Sequence, residues 1–236
     1  MCGICGFVSE DAAPDRALIE RMIGRLAHRG PDGSGWYRDE RAALGQARLA
    51  IIDAAGGAQP LSNEDGSVWI TFNGEIFNYV ELGDELTALG HRMRTASDTE
   101  VIVHAFEEWG EGCFERFNGQ WALALWDRRR KRLLLSRDRM GVRPLYYARA
   151  GRRFLFASEV KSLFADRSVA RALDPAGLDE TFTFWCAVAP QTVFEGVSQL
   201  EPGHFAVLED GRLRSRPYYA NRFPRRGDEA CQDLAE

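Results

Sequence analysis

Hydrophobic positions along the chain alternate between short strand-type runs and a few helix-type stretches. Apolar Leu18, Met22, Ile23 and Leu26 recur at the spacing of an amphipathic helix. The same spacing and its flanking caps predict helices over 14–27, 79–89, 97–109 and 175–184, and a further helix is expected from Ser158. Apolar runs bounded by turn residues predict strands at 4–8, 42–53, 68–72, 121–126, 133–136, 153–157, 203–208 and 212–218. Many strands in adjacent pairs with few helices predict antiparallel sheets covered by helices, an α+β layered domain.

Two segments between these elements are rich in turn residues. The stretch 28–36 (H-R-G-P-D-G-S-G-W) predicts a loop with a defined backbone conformation, which is either a structural turn or the lining of a ligand site. Asn73 and Gly74 follow the strand 68–72, and Asn-Gly is a strong hairpin signal, so a turn is expected there. A side-chain amide and the next backbone N–H are also the two donors of an oxyanion hole. Both interpretations stay open.

The first six residues place a thiol beside the amino terminus. Because a small residue follows the initiator methionine, Met1 can be removed, which would leave Cys2 with its own α-amino group. An α-amino group titrates at about pH 8 and a free thiol at about pH 8.5, so one residue would hold a nucleophile and its base. Retention of Met1 would block that amine. Cys2 is therefore a candidate amino-terminal nucleophile.

Cys2 and Cys5 also form a C-x-x-C pair, a spacing used by zinc sites and thiol-exchange proteins. A metal or redox protein using these two thiols is therefore an alternative. Zinc needs a second pair of ligands, however, and Cys113, Cys186 and Cys231 stand apart, while the four histidines show no ligand spacing. We predict no metal site, and we interpret Cys5 as a core residue in a short buried strand.

Two charged residues have both a structural and a functional interpretation. Arg48 lies within the apolar run 42–53. Its aliphatic stem could lie along the sheet so that the guanidinium reaches solvent, or the guanidinium could bind a ligand carboxylate through two hydrogen bonds. Asp98 lies in the S-D-T-E stretch that opens the helix 97–109, where helix capping is the simpler role. Capping does not exclude a carboxylate turned toward the ammonium group of a ligand.

Composition places the chain among ordinary globular proteins. Its 236 residues are 45% hydrophobic and 28% charged, and no apolar run approaches the ~20 residues of a membrane span. No signal peptide is evident, and five irregularly spaced cysteines suit a reducing compartment, so we expect a cytoplasmic protein without a membrane partner. A net charge of −5 gives no general attraction to nucleic acid, and the basic run 128–132 is interpreted as a solvated hairpin tip.

Six motifs, taken in order, carry a family resemblance. They are 2–6 (C-G-I-C-G), 29–33 (R-G-P-D-G), 48–51 (R-L-A-I), 72–78 (F-N-G-E-I-F-N), 97–100 (S-D-T-E) and the segment 137–147, which opens R-D and ends P-L-Y-Y. Together they resemble the glutaminase domain of glutamine-hydrolysing asparagine synthetases, within the class II glutamine amidotransferase group of amino-terminal nucleophile hydrolases. The resemblance runs from residue 2 to about residue 218.

The resemblance implies a four-layer αββα sandwich, with two antiparallel sheets face to face and helices outside. It implies hydrolysis of L-glutamine, in which Cys2 forms a glutamyl thioester and its α-amine carries the proton. The oxyanion would be held by Asn73 and the N–H of Gly74. Arg48 would bind the substrate carboxylate and Asp98 its ammonium. Three further residues line the pocket in the family: Leu49, Ile51 and Glu75.

The synthetase half of that family is not found in this sequence. The Ser-Gly-Gly-x-Asp-Ser loop that binds ATP there does not occur here, so no cofactor is expected in this chain, and ATP and Mg would belong to the absent domain. We assign 1–220 to the glutaminase domain and 221–236 to a linker or tail. The expected ammonia acceptor is a synthetase domain or a separate synthetase subunit. A catalytically silent docking or regulatory module is the alternative, and a homodimer is left open.

Overall fold

A computed structural model of the chain describes residues 1–54 and 56–221. The strands are β1 (Gly3–Ser9), β2 (Gly33–Arg38), β3 (Ala42–Arg48), β4 (Leu61–Ser62), β5 (Val68–Ile76), β6 (Gly119–Asp127), β7 (Arg132–Arg137), β8 (Tyr146–Ala150), β9 (Arg153–Ala157), β10 (Val197–Gln199), β11 (His204–Glu209) and β12 (Arg212–Pro217). The helices are α1 (Arg16–Gly24), α2 (Tyr79–Ala88), α3 (Asp98–Trp109), α4 (Cys113–Arg116), α5 (Val160–Leu163) and α6 (Pro175–Phe184). None of these helices has the length and hydrophobicity that a bilayer crossing requires. The predicted linker or tail, apart from Asn221, lies outside the described residues.

Two six-stranded antiparallel sheets form the centre of the fold. The first sheet has the order β10-β8-β9-β1-β3-β2, and the second has the order β12-β11-β7-β6-β5-β4. β1 is therefore an interior strand, with Gly3 opposite Ala47 of β3 and Cys5 opposite Ala157 of β9. The start of the chain thus lies beside the end of β3.

The alternation of side chains along the strands separates three hydrophobic cores. In β6, Ala122 and Ala124 belong to the core between the two sheets, whereas Leu123 and Leu125 belong to the core beneath α2 and α3. A third core lies between the first sheet and the helices α1 and α5. Because both faces of each sheet are covered, interior strands such as β1 and β6 are buried along most of their length. Three cores around two sheets make an αββα sandwich, which confirms the predicted fold class.

Asn73 and Gly74 do not form the hairpin turn that the Asn-Gly signal predicts. They lie inside β5, which stays paired with β6 from Val68 to Ile76. A Cβ atom at position 74 would lie 2.1 Å from the carbonyl oxygen of Gln120, so glycine is required by the close approach of β6. The turn expectation is wrong because a long strand partner overrides the local signal.

Two other boundaries differ from the predicted ones. The stretch 28–36 is not a continuous loop, since a 3₁₀ turn at Ala27–Arg29 is followed by strand β2, which begins at Gly33. The predicted strand 42–53 ends at Arg48. Beyond Arg48 the chain leaves the sheet, and this places the residues after β3 around the start of β1.

Two hydrogen bonds join the sheets near that end. The hydroxyl of Thr71 donates to the carbonyl oxygen of Gly45 at 3.2 Å, and Gln46 Nε2 donates to the carbonyl oxygen of Phe72 at 2.9 Å. Both bonds are buried, where a lost partner is costly. They hold the last residues of β3 against the part of β5 that contains Asn73.

Candidate active site

The start of β1, the end of β3, the middle of β5 and the first turn of α3 surround one small cavity of about 60 Å³. Its lining includes every residue singled out from the sequence as a site residue: Cys2, Arg48, Leu49, Ile51, Asn73, Gly74, Glu75 and Asp98. These residues come from four separate elements, so the fold brings together what the sequence holds up to 96 positions apart.

Cys2 lies just before the start of β1 and is held there by its neighbours. Its Sγ atom lies 3.3 Å from the backbone nitrogen of Leu49 and 3.4 Å from the carbonyl oxygen of the same residue. Met1 precedes it, is more than half exposed and also lines the cavity. Cys5 points to a different place, since it is fully buried and burial raises the pKa of its thiol to about 12. The interpretation of Cys5 as a core residue is confirmed.

Arg29 fixes the backbone of Cys2. Its Nε donates to the carbonyl oxygen of Cys2 at 2.8 Å, and its Nη1 donates to Glu159 Oε1 at 2.9 Å. Burial alone would raise the pKa of Glu159, but hydrogen bonds from Lys161, Arg29 and His28 lower it to about 2. Glu159 therefore stays ionised and orients the guanidinium. The R-G-P-D-G motif marks Arg29, but the sequence shows no sign of its distant partner.

Asn73 presents an unpaired donor to the cavity. Its side chain is 1% exposed, and its Nδ2 has no hydrogen-bond partner among the residues that the structure describes. A buried polar group left without a partner costs about 1–3 kcal/mol. The backbone of Gly74 follows directly in the same cavity lining. An unpaired amide beside a thiol is suited to holding the oxygen of a carbonyl under attack.

Asp98 is a buried carboxylate without a cation. It is 4% exposed and accepts a hydrogen bond from the backbone nitrogen of Ile76 at 3.1 Å. Burial raises the pKa of Asp98 to about 6, although hydrogen bonds from Ile76 and Thr99 oppose the shift. Ser97 supplies the side-chain cap of α3, which leaves the Asp98 carboxylate available to a ligand. No ion pair to Asp98 occurs within 1–54 and 56–221, so a ligand ammonium would supply its missing partner.

Arg48 is held by backbone oxygens rather than by an acid. Its Nη1 donates to the carbonyl oxygen of Ala54 at 3.0 Å, and its Nη2 donates to that of Asp53 at 2.7 Å. Within the part of the chain that the structure describes, Arg48 forms no salt bridge. Arg48 is among the residues that line the cavity, and its guanidinium lies against the backbone of Asp53 and Ala54. Arg48 and Asp98 together offer opposite charges to a zwitterion, which favours the ligand-binding interpretation of both.

Sequence reasoning missed two glutamines in the cavity lining. Gln59 Oε1 accepts from the backbone nitrogen of Phe72 at 2.7 Å, and its Nε2 donates to Thr99 Oγ1 at 3.0 Å. Gln59 thereby ties β5 to α3. Gln46 joins the sheets and is the only polar side chain between Ala42 and Ala47, a signal that could have marked it. Gln59 has no such local signal.

Comparison with known proteins gives consistent matches. The model of the glutamine amidotransferase domain family matches residues 1–219. Asparagine synthetase [glutamine-hydrolyzing] 3 of Bacillus subtilis (strain 168) is 37% identical over 224 residues, which are 93% of this chain and 36% of that protein. Asparagine synthetase [glutamine-hydrolyzing] 2 of Arabidopsis thaliana is 42% identical over 169 residues, 70% of this chain and 29% of the relative. The chain thus spans about a third of the length of these curated relatives.

A solved structure supports the same architecture. Glutamine phosphoribosylpyrophosphate amidotransferase from B. subtilis, complexed with ADP and GMP, superposes with a TM-score of 0.69 at 19% identity. The superposition covers 93% of this chain and 50% of that one. At this identity the likeness concerns the fold alone, and it agrees with the two packed antiparallel sheets.

Proposed function

Because this chain belongs to the glutamine amidotransferase domain family, we propose that it hydrolyses L-glutamine to glutamate and ammonia in the cavity that holds Cys2. The family membership confirms the resemblance drawn from the six motifs. One observation carries the proposal beyond membership. The cavity joins a thiol, an unpaired buried amide donor and two unpaired opposite charges, which match the carboxamide and the zwitterionic end of glutamine.

In the proposed reaction Cys2 Sγ attacks the carboxamide carbon of glutamine. After removal of Met1, the α-amine of Cys2 accepts the thiol proton and passes a proton to the departing ammonia. Asn73 Nδ2 and the N–H of Gly74 hold the oxygen while it carries negative charge. A thioester between Cys2 and the glutamyl group remains. Water then attacks the thioester, releases glutamate and returns the thiol.

Arg48 and Asp98 select the substrate in this proposal. The guanidinium binds the α-carboxylate and the aspartate binds the α-ammonium, so a free amino acid is accepted. A glutamine side chain within a peptide lacks both charged groups and would leave the buried Asp98 carboxylate and the Arg48 guanidinium without ionic partners. The backbone of Leu49 and the residues Ile51 and Glu75 complete the lining.

Asp98→Asn is expected to raise stability and impair substrate binding. The folded protein holds the Asp98 proton up to a pKa of about 6, above the ordinary value of 3.8, so the carboxylate lowers stability as the pH rises through this window and remains unfavourable at neutral pH. Asparagine removes that buried charge and can still accept from Ile76. We expect a gain of about 1–3 kcal/mol in the free energy of unfolding at pH 7.5. The KM for glutamine should rise by about 10- to 100-fold, which corresponds to a lost charge pair.

Asp84→Asn is the matched control, because Asp84 is exposed on α2. Thermal unfolding and glutaminase assays at pH 5 to 8 would be compared for the two variants. In the wild type, KM should also rise below about pH 6 as Asp98 becomes neutral. An Asp98→Asn protein with an unchanged KM would show that the carboxylate does not bind the ammonium group.

The direct test of the proposed function is the intact mass of the chain before and after reaction with an electrophilic glutamine analogue. We expect a starting mass short by one methionine and a single adduct that maps to Cys2 and is suppressed by excess glutamine. Cys186 is exposed and serves as an internal control for unspecific thiol labelling. If the processed, folded chain gained no adduct on Cys2, the nucleophile assignment would be wrong.

The ammonia acceptor is proposed on different grounds. The curated relatives are named glutamine-hydrolysing asparagine synthetases and are about three times as long as this chain, so we assign the acceptor to a synthetase domain or subunit.

An aromatic patch at the end of α6 supports docking to such a partner, since Phe182 is 84% and Trp185 92% exposed. This patch also favours the second candidate function, a silent docking module. Absence of labelling and turnover in a folded, processed chain would leave that candidate.

A further inference from the structure

Two histidines that the sequence separates by 13 positions meet beside α3, away from the cavity. His91 follows α2, and His104 lies in the middle of α3 with its side chain buried. Their Nδ1 atoms are 3.2 Å apart, and His104 Nδ1 is 2.9 Å from Glu107 Oε2. All three atoms lie within 4.8 Å of one another. Ligand atoms around a tetrahedral zinc ion, each bound at about 2.0–2.2 Å, have similar separations.

The protein alone does not satisfy these three atoms well. Each of the three atoms can present a lone pair to the other two. Only one proton can lie between them, and His104 Nδ1 would carry it. A proton there would be shared between His91 Nδ1 and Glu107 Oε2, because an imidazole nitrogen donates one hydrogen. A cation at the meeting point would bind all three lone pairs at once. The arrangement is thus better suited to a metal ion than to a single hydrogen.

The outer side of each of the three groups faces a polar partner. His91 Nε2 lies 3.2 Å from Glu108 Oε2, and Glu107 Oε1 accepts from Asn63 Nδ2 at 2.7 Å. His104 Nε2 is buried without a hydrogen bond and faces two carboxylate oxygens, each 3.8 Å away, on Glu64 and Glu100. Histidines that bind metals through one nitrogen typically point the other at a carboxylate. Both histidines here have that arrangement.

We propose that His91, His104 and Glu107 form a binding site for one divalent cation of the zinc class. The ligand atoms are His91 Nδ1, His104 Nδ1 and Glu107 Oε2, and a water molecule completes the tetrahedron. Two imidazole nitrogens favour zinc over magnesium or calcium, which prefer oxygen ligands. The proposal departs from the expectation that the chain binds no metal, which rested on the isolated cysteines and on the linear spacing of the histidines.

The proposed site has a structural role. It joins the segment before α3, which carries His91, to the body of the helix. Glu100 reinforces the same connection, since its carboxylate accepts from the backbone nitrogens of Arg94 and Thr95. Asp98 lies at the start of this helix, six residues before His104. The cation would therefore stabilise the base of the candidate ammonium site without contacting substrate.

The test is zinc binding by the full chain after treatment with a chelator and its removal. We expect one zinc ion per chain, and a melting temperature that rises when zinc is added and not when magnesium is added. His91→Asn and Glu107→Gln should each weaken zinc binding by at least 10-fold and abolish the thermal shift. His204→Ala is the control, because the two ring nitrogens of His204 face Pro202 and Glu201, which lie outside the cluster.

The outcomes are distinct from those of the glutaminase proposal, since the readout is metal content and thermal stability rather than turnover. The control retains every cysteine, so zinc bound by thiols would be equal in all variants. Equal binding in His91→Asn, Glu107→Gln and His204→Ala would overturn the site. A wild-type chain that binds no zinc at a tenfold molar excess would overturn it as well.

Discussion

A chain carrying Cys2→Ala is expected to fold normally, bind glutamine and release no ammonia above the uncatalysed rate. Alanine removes the cysteine thiol from the cavity lining and leaves Arg48 and Asp98 in place. Loss of a nucleophile that forms a covalent intermediate typically lowers kcat by about 10⁴-fold or more. Ammonia release and isothermal titration with glutamine would measure the two effects separately.

Cys186→Ala is the control for this substitution, because Cys186 is exposed and its thiol does not line the cavity. It should retain full activity. Circular dichroism and thermal unfolding of Cys2→Ala should match the wild type, since the side chain is partly exposed and makes only weak sulfur contacts with Leu49. Measurable turnover in the folded Cys2→Ala chain would exclude the proposed mechanism.

Asn73→Ala should lower kcat by about 10²- to 10³-fold while KM changes little. The amide donates to the oxygen only when that oxygen becomes negative, so its loss affects the transition state more than the bound substrate. Stability should stay within about 1 kcal/mol of the wild type, because the substitution also removes a buried donor that has no partner. Steady-state kinetics and chemical denaturation would provide both numbers.

Asn118→Ala provides the comparison for Asn73→Ala. Asn118 is exposed just before β6 and lies outside the cavity lining, so kcat should be unchanged. If Asn73→Ala instead raised KM and left kcat intact, the amide would bind the ground state of the substrate. The oxyanion role would then have to be given to another donor.

The starts of two helices, whose capping signals lie within one helical turn, were predicted correctly. α3 begins after Ser97, which caps Thr99, and α6 begins after Asp174 with Pro175 in its first position. These interactions need no distant partner. Asn73 and Gly74 were misassigned because their pairing partner, β6, lies more than 40 residues away and overrides a local turn preference. Strand β2 was missed because its exposed edge lacks the apolar run by which a strand is recognised.

In the candidate site, too, the sequence indicates some residues, whereas others are recognised only from the fold. The resemblance named its eight residues in advance, and the structure places all of them around one cavity. The supporting contacts were not predicted, because each depends on tertiary proximity. Glu159 reaches Arg29 across 130 residues, and His91 approaches His104 only when α2 packs against α3. Linear spacing carries no information about such pairs.

The position of β1 in the middle of its sheet also sets an order of events during synthesis. β3 is complete at residue 48, but the other partner of β1, strand β9, ends at Ala157. At roughly 5–20 residues per second, a ribosome needs about 5–20 s to cover that interval. Throughout it β1 lacks one of its two neighbouring strands. The backbone position of Cys2, just before β1, is therefore fixed from both sides only after β9 has been made.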